Sequence, residues 1–258
     1  MQLYFNLFGH SLPSYGAMIA TGIVISNILA ITLILRMYEL DLNDFIILEA
    51  YCFLGAFLGA KILYLIVSYK EIKWNRFFDL HYFNVLMQSG FVFYGGMIGG
   101  LCAILVAGKV HKINYKNYVQ HCIFLIPLIH CFGRIGCFLA GCCYGIPYHG
   151  LCAVTFPSNS LAPSGIPLFP IQLVEAAGLL LLALGILLMD RFIKKNTLVL
   201  YLFGYGCLRF GLEFLRNDGE RGHLGKLSTS QWISVLMIIL SVIIAIAGIR
   251  KSKNQTES

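Results

Sequence analysis

Charged residues are scarce in this sequence. Asp, Glu, Lys and Arg make up 12% of the 258 residues, whereas soluble domains carry roughly 25%. Hydrophobic residues account for 58% of the chain, and the mean hydropathy is +0.77. So little charge cannot cover a water-facing surface, which excludes a soluble enzyme held by one membrane anchor. The composition predicts an all-α integral membrane protein that crosses the bilayer several times.

Lys and Arg are missing from the first 16 positions. A cleavable signal peptide begins with a positively charged region, so we expect the first apolar segment to stay in the mature protein. The net charge of +7 does not indicate a nucleic-acid partner, because Lys and Arg lie mostly in short clusters between apolar runs. Clusters of this kind fix the orientation of membrane helices.

Long apolar runs predict seven transmembrane helices, since about 20 apolar residues cross a bilayer. The predicted spans are roughly 15–35, 45–68, 90–108, 118–138, 170–190, 197–215 and 231–249. If the N-terminus is outside, the connections on the inner side hold modestly more Lys and Arg than those on the outer side. This bias favours an N-terminus outside and a C-terminus inside. The connection 139–169 lacks Lys and Arg and has four prolines, so we expect an extracytoplasmic loop with little helix. We expect one membrane domain over 1–250 and a short polar cytoplasmic tail over 251–258.

Five charged residues fall inside predicted spans, where charge is costly and marks function or a buried pair. They are Lys61, Arg134, Glu175, Arg209 and Glu213.

The sixth span has the clearest pattern. Tyr205, Arg209, Glu213 and Arg216 are spaced by four, four and three residues, which places them on one face of a helix. One interpretation is a structural ladder in which Glu213 pairs with an arginine. The other is an anion site, because two Arg against one Glu leave a positive charge and guanidinium forks suit phosphate. The two interpretations are compatible.

Other polar or glycine-rich positions allow both functional and structural interpretations. Arg134 has Gly133 and Gly136 close by in sequence, so a ligand or backbone could approach it, or its side chain could reach lipid headgroups. Gln172 and Glu175 share a helix face. That face could bind a ligand or could help the helices pack.

The third span begins with Tyr94, followed by Gly95, Gly96, Gly99 and Gly100. Small residues four apart let helices pack closely. The same glycines would also let a ligand reach the backbone beside Tyr94. The pattern does not separate these two interpretations.

Nine cysteines are present, and five of them lie between residues 131 and 152. Their spacing contains no C-x2-C pair, which disfavours a zinc site. A disulfide in the 139–169 loop would suit an oxidising compartment, but packing as small apolar residues is the favoured interpretation. We expect no metal.

Several segments, taken in chain order, resemble the prolipoprotein diacylglyceryl transferase family. The segments are 13–16, 59–64, 94–100, 133–138 with Gly145, 170–175, 209–216 and 227–231. They are similar to the family's His-Gly-Gly-x-x-Gly-Gly, Gly-Arg-x-Gly-Asn-Phe, Pro-x-Gln-Leu-x-Glu and Arg-Phe-x-x-Glu-Phe-x-Arg motifs, among others. Individually the motifs are weak, but their common order supports the fold and the activity.

The resemblance implies transfer of a diacylglyceryl group from phosphatidylglycerol to the lipobox cysteine thiol of a prelipoprotein, with release of glycerol phosphate. The partners would be this lipid, the prelipoprotein and the bilayer of the bacterial cytoplasmic membrane, without a cofactor. The implied catalytic residues are Tyr94, Arg134 and Arg209. The implied substrate-binding residues are Gly95, Gly96, Gly99, Gly133, Gly136, Cys137, Gly145, Gln172, Glu175, Tyr205, Glu213 and Arg216.

The sequence departs from the family pattern at several positions, one of which is Lys61, where the family has Arg. Tyr94 replaces the family's His, Cys137 replaces its Asn, and Ala140 and Cys142 stand where the family has Asn and Glu. These departures leave two alternatives open. One is a transferase that uses the same lipid donor with another envelope acceptor, and the other is a lipid-binding protein without catalysis.

Overall fold

The computed structural model describes residues 3–7, 10–88, 90–193, 196–217, 223–225 and 227–256. Lys194, Lys195, Arg221 and Lys226, which contribute to the basic-residue pattern of the connections, lie outside the described residues. The last two residues of the predicted tail also lie outside them.

Helices form most of the described chain. Their bounds are α1 Ser14–Leu29, α2 Leu42–Val67, α3 Leu80–Gln88, α4 Phe93–Val110, α5 Tyr115–Cys122, α6 Leu125–Ala140, α7 Ile171–Leu188, α8 Thr197–Leu212 and α9 Thr229–Thr256. Short helical segments continue three of them: π-helical Ala30–Ile34 and α-helical Leu35–Met37 after α1, π-helical Met189–Ile193 after α7, and 3₁₀-helical Glu213–Leu215 after α8. A single 3₁₀ turn, Trp74–Arg76, precedes α3.

Three two-stranded antiparallel sheets complete the described elements. They pair Tyr4–Leu7 with His10–Pro13, Val154–Thr155 with Pro167–Leu168, and His223–Leu224 with Leu227–Ser228. The connection between α6 and α7 contains one of these sheets and no helix, as the sequence predicts.

The helices are those of a multi-pass membrane protein, which confirms the predicted fold class. Among the described residues, five helices are long and apolar enough to cross a bilayer: Ser14–Met37, Leu42–Val67, Ile171–Ile193, Thr197–Leu215 and Thr229–Ile249. Many of their large apolar side chains are exposed, as expected for helices that face lipid. The bent pair α5 and α6 would make a sixth span, whereas the helix that ends at Val110 is shorter. The predicted count of seven is therefore not confirmed.

The fourth predicted span is a broken helix rather than a straight one. α5 and α6 meet at an angle of 48°. Pro127 lies in the first turn of α6. Proline has no backbone N–H, so it cannot donate to the carbonyl of Ile123 and continue the hydrogen bonds of α5.

The chain divides into two compact units. The first comprises Met1–Ile34 and Val119–Ser258, and the second comprises Leu35–Tyr118. In the first unit, α1 packs on α6, α6 on α7, α7 on α8 and α8 on α9.

Side-chain caps start two helices. Asp41 accepts hydrogen bonds from backbone N–H groups in the first turn of α2, and Asn196 accepts them from the first turn of α8.

The second unit is held by close packing of α2 on α4. A methyl group built on Gly59 would overlap the carbonyl oxygen of Gly95, and one on Gly99 would overlap that of Gly55. The backbones touch where these four glycines meet. The packing interpretation of Gly95 and Gly99 is therefore confirmed.

Gly59→Val should separate α2 from α4 and lower stability. Overfilling a packed contact costs about 1–3 kcal/mol, and here the nearest atoms are backbone, including the Gly99 Cα at 2.9 Å from an added Cβ. Thermal unfolding in detergent would measure the loss. Gly185→Val in α7 is the matched control, because nothing lies within 4 Å of its added Cβ. Equal unfolding temperatures for the two variants would contradict the contact.

Lys61 is buried in α2, and its charge is satisfied within the second unit. Its ammonium donates hydrogen bonds to the carbonyls of Leu86 and Gly90. The Nζ also lies 4.9 Å from the ring centroids of both Tyr64 and Phe91. These contacts account for a lysine at this depth and support a structural role in holding the segment that enters α4.

Candidate active site

Glu175 of α7 joins two arginines in the first unit. Its Oε1 lies 3.0 Å from Arg134 Nη2, and its Oε2 lies 3.5 Å from Arg216 Nη1. The Glu175 side chain is 1% exposed. The two contacts are close ion pairs whose angles depart from hydrogen-bond geometry. Arg134 therefore pairs inside the protein rather than reaching outward to headgroups.

Arg209 forms a second ion pair beside the first. Its Nη2 lies 2.7 Å from Glu213 Oε2, one helical turn further on. The same nitrogen donates to Ser230 Oγ at 3.1 Å, and Ser230 lies in the first turn of α9. The Glu213 pairing that the sequence suggested is confirmed, with Arg209 as its partner.

Two guanidinium nitrogens in this network keep a proton to donate. Arg134 Nε and Arg209 Nη1 are buried and have no hydrogen-bond partner within the described part of the chain. A buried unsatisfied donor is costly. The three arginines also exceed the two glutamates by one positive charge. Unsatisfied donors and a surplus positive charge together suit a bound oxyanion such as a phosphodiester.

Arg216 reaches Glu175 by a route that the sequence did not predict. α8 ends at Leu212, a 3₁₀ turn follows, and Arg216 has extended backbone angles, φ −94° and ψ 146°. The prediction that Arg216 shares a helix face with Tyr205 and Arg209 is therefore wrong.

Gly145 forms an isolated antiparallel bridge with Arg216. Ile146 N donates to Leu215 O at 3.0 Å. A Cβ on Gly145 would lie 2.5 Å from the Phe169 carbonyl oxygen, so only glycine fits this position. The bridge places Gly145 beside the site through its backbone.

Gln172 and Glu175 both point into the protein, as predicted, and each residue is almost fully buried. Gln172 Nε2 donates to the Cys142 carbonyl at 2.7 Å. This hydrogen bond attaches the turn that follows α6 to the start of α7.

The glycines of α6 differ in their surroundings. A Cβ on Gly136 would lie 3.0 Å from the Tyr15 Cα, so close packing on α1 requires this glycine. The nearest atom to a Cβ on Gly133 is Ile19 Cγ1, at 3.8 Å. Packing therefore explains Gly136 and leaves room beside Gly133.

Cys137, Cys142 and Cys143 form a cluster whose sulfur atoms all lie within 4.8 Å of one another. All three are free thiols. Hydrogen bonds with Cys137 and Cys142, and then the charges of Arg216 and Arg134, hold the pKa of the Cys143 thiol below its usual value, although burial acts in the opposite direction. The sequence spacing did not reveal this convergence.

His130 is a site residue that sequence reasoning missed. Its ring meets the Tyr205 ring edge-on, with centroids 5.5 Å apart, and Tyr205 also stacks on Tyr201 at 6.0 Å. The signal was present, because His130 precedes Arg134 by four residues and so shares its helix face.

Tyr94 belongs to the second unit. It lies half-buried in the first turn of α4. Gly96 of the same motif faces α2, with the Ala56 carbonyl oxygen 3.2 Å from an added Cβ.

The fold and the network define a class: a multi-pass membrane protein with a buried arginine–carboxylate site. A family model described as prolipoprotein diacylglyceryl transferase matches residues 2–247. The chain belongs to this family.

Individual relatives match over nearly their full length. The chain is similar to phosphatidylglycerol–prolipoprotein diacylglyceryl transferase 2 of Clostridium perfringens, with 35% identity over 98% of this chain and 96% of that protein. It is 37% identical to the phosphatidylglycerol–prolipoprotein diacylglyceryl transferase of Clostridium tetani, over 93% of this chain and 94% of the relative. A Clostridium botulinum protein of the same name is 30% identical over 90% of this chain and 93% of that protein.

Proposed function

We propose that this chain transfers a diacylglyceryl group from phosphatidylglycerol to the lipobox cysteine thiol of prelipoproteins and releases glycerol phosphate. The observation that carries the proposal is the pair of buried, unsatisfied donors on Arg134 and Arg209. The names of the relatives supply the reaction, and the site supplies groups that fit its donor lipid.

Phosphatidylglycerol carries one negative charge on its phosphodiester. The five charged side chains of the site leave one positive charge, so the lipid phosphate would balance it. Arg134 and Arg209 would donate to the phosphate oxygens, because guanidinium groups recognise phosphate through several directed hydrogen bonds. Glu175 and Glu213 would hold the arginines in place, and Arg216 would support Arg134 through Glu175.

The reaction needs charge stabilisation on the leaving group. The acceptor sulfur attacks the glyceryl carbon, a C–S bond forms and the C–O bond to phosphate breaks. The departing glycerol phosphate gains negative charge, which fixed donors stabilise in a site shielded from water. The thiol proton leaves with a base or with the phosphate product, so atoms and charge balance.

The proposed role of Tyr94 rests on its place in the family-like motif. In this proposal its phenol O–H donates a hydrogen bond to lipid phosphate. For Gly95, Gly99, Gly136 and Gly145, the observed packing is itself a sufficient reason for glycine. Nothing contradicts a binding role for them, so we keep all the substrate-binding assignments as part of the proposal: these four glycines with Gly96, Gly133, Cys137, Gln172, Glu175, Tyr205, Glu213 and Arg216.

We also propose the bacterial cytoplasmic membrane as the location, with the N-terminus outside and the C-terminus inside. The distribution of Lys and Arg supports this orientation. In this proposal residues 1–250 act as one membrane domain, and 251–258 form a polar cytoplasmic tail.

Lipid turnover tests the function directly. Purified protein would be incubated with labelled phosphatidylglycerol and a lipobox peptide. We expect a diacylglyceryl thioether peptide and glycerol phosphate in equal amounts.

Two other outcomes would contradict the proposal in different ways. Consumption of phosphatidylglycerol without peptide product would indicate another acceptor. The departures from the family motif at Cys137 and Cys142 are the reason for considering this alternative. A lack of turnover in folded protein that still binds the lipid would indicate a lipid-binding protein without catalysis.

A further inference from the structure

The cysteine cluster is built by the turn that follows α6. α6 ends at Ala140, and the next residue, Gly141, has a left-handed φ of +69°. Cys142 N then donates to Cys137 O at 3.0 Å, and Cys143 also has a positive φ, +56°. These angles turn the chain back, so the two following cysteines meet the one on the last helical turn.

The sulfur positions suit a thiophilic metal ion. Zinc binds cysteine sulfur at about 2.3 Å, and tetrahedral geometry then places the sulfur atoms roughly 3.8 Å apart. The three sulfurs already lie within 4.8 Å of one another, so closing on an ion requires each pair to approach by at most about 1 Å. Thiolates select soft or borderline ions such as Zn²⁺ and Cu⁺ over Mg²⁺ or Ca²⁺.

We propose that Cys137, Cys142 and Cys143 form a three-sulfur binding site for a thiophilic metal ion such as Zn²⁺. Three protein ligands leave the fourth tetrahedral position open. The proposal does not depend on the lipid chemistry, because metal binding is measured without lipid.

The surrounding charges fit a loaded site. Three thiolates and one divalent ion carry a net charge of −1. Arg134 precedes Cys137 by three residues on α6, and Arg216 is bridged to Gly145, two residues after Cys143, so both arginines lie near a complex of opposite sign. The ion would also fix the turn whose Cys142 carbonyl accepts the Gln172 hydrogen bond. Metal should therefore raise the unfolding temperature.

Cd²⁺ is the probe for a direct test. The full-length protein, purified in detergent and kept reduced with a phosphine, would be titrated with Cd²⁺ while sulfur-to-metal charge-transfer absorbance is followed. We expect saturation at one ion per chain, with displacement by Zn²⁺ and a higher unfolding temperature.

Two variants remove one ligand each. Cys142→Ser is nearly isosteric, and Cys143→Gly suits the positive φ. Either should weaken Cd²⁺ binding by more than about 100-fold, because the loss of an outer partner alone costs about 10–100-fold.

Cys152→Ser and Cys207→Ser are matched controls, since both cysteines are exposed and lie outside the cluster. They should bind as the wild type does. Absence of charge-transfer absorbance in the reduced wild type would overturn the proposal, and so would full binding by folded Cys142→Ser and Cys143→Gly. A loss of binding in both controls would overturn it as well. Unfolding temperatures measured without metal identify any variant that fails to fold.

Discussion

Phosphatidylglycerol turnover should fall by at least about 100-fold in Arg209→Ala, the loss typical when one donor that stabilises developing charge is removed. Arg209 is anchored by Glu213 and Ser230, and its Nη1 is the buried donor left for the lipid phosphate. Arg134→Ala should have a similar effect, because its Nε is the other such donor. The lipid turnover assay with a lipobox peptide measures both.

Arg209→Lys separates geometry from charge. Lysine keeps the positive charge and the partner for Glu213, but it lacks the planar fork, so turnover should still fall by at least about tenfold while the protein stays folded. The control is Arg76→Ala, whose side chain is 58% exposed and pairs with Asp79. Near-normal turnover in folded Arg209→Ala would place the anion site elsewhere.

Glu175→Gln should be the most destabilising change in the site. The carboxylate lies between Arg134 and Arg216, and all three side chains are largely buried. Removing one partner of a buried ion pair costs about 3–5 kcal/mol, since the remaining charge is left uncompensated. The measurement is the unfolding temperature in detergent, and lipid turnover should fall with it because both arginines lose their positions.

Asp79→Asn is the matched control for this change. It also converts a carboxylate into an amide beside an arginine, but the Arg76–Asp79 pair is exposed, and such pairs contribute only about 0–1 kcal/mol. If Glu175→Gln unfolds at the wild-type temperature, the arginines are compensated by groups other than this carboxylate.

The membrane class and the identity of the charged residues could be predicted from the sequence. Hydropathy located the helices, because a bilayer imposes a length on them. Charge in apolar runs singled out Arg134, Glu175 and Arg209, because buried charge is rare without a purpose. The partner of each charge was less accessible. Helical spacing predicted that Glu213 pairs with an arginine but left Arg209 and Arg216 open as partners, whereas the Arg134–Glu175 pair joins two helices.

Local backbone changes explain the sequence predictions that failed. The spacing of Arg216 assumes a helix that continues, but α8 is followed by a 3₁₀ turn, and the backbone is extended at Arg216 itself. The break before Pro127 divided a predicted span in the same way.

The cysteine cluster was missed because a spacing rule considers sequence intervals alone. Gly141, a glycine placed just past the last helical residue, was the available signal, since it ends the helix and turns the chain back.

The bridge between Gly145 and Arg216 affects how homologous chains can be recombined. Replacing the 139–169 connection with that of a relative would also replace one side of a backbone pairing whose other side is the segment 215–217. The two segments are about 70 residues apart in the gene, but they form a single structural cassette. A chimera that exchanges only the loop would shift the backbone that carries Arg216, whereas one that exchanges both segments keeps the matched pair.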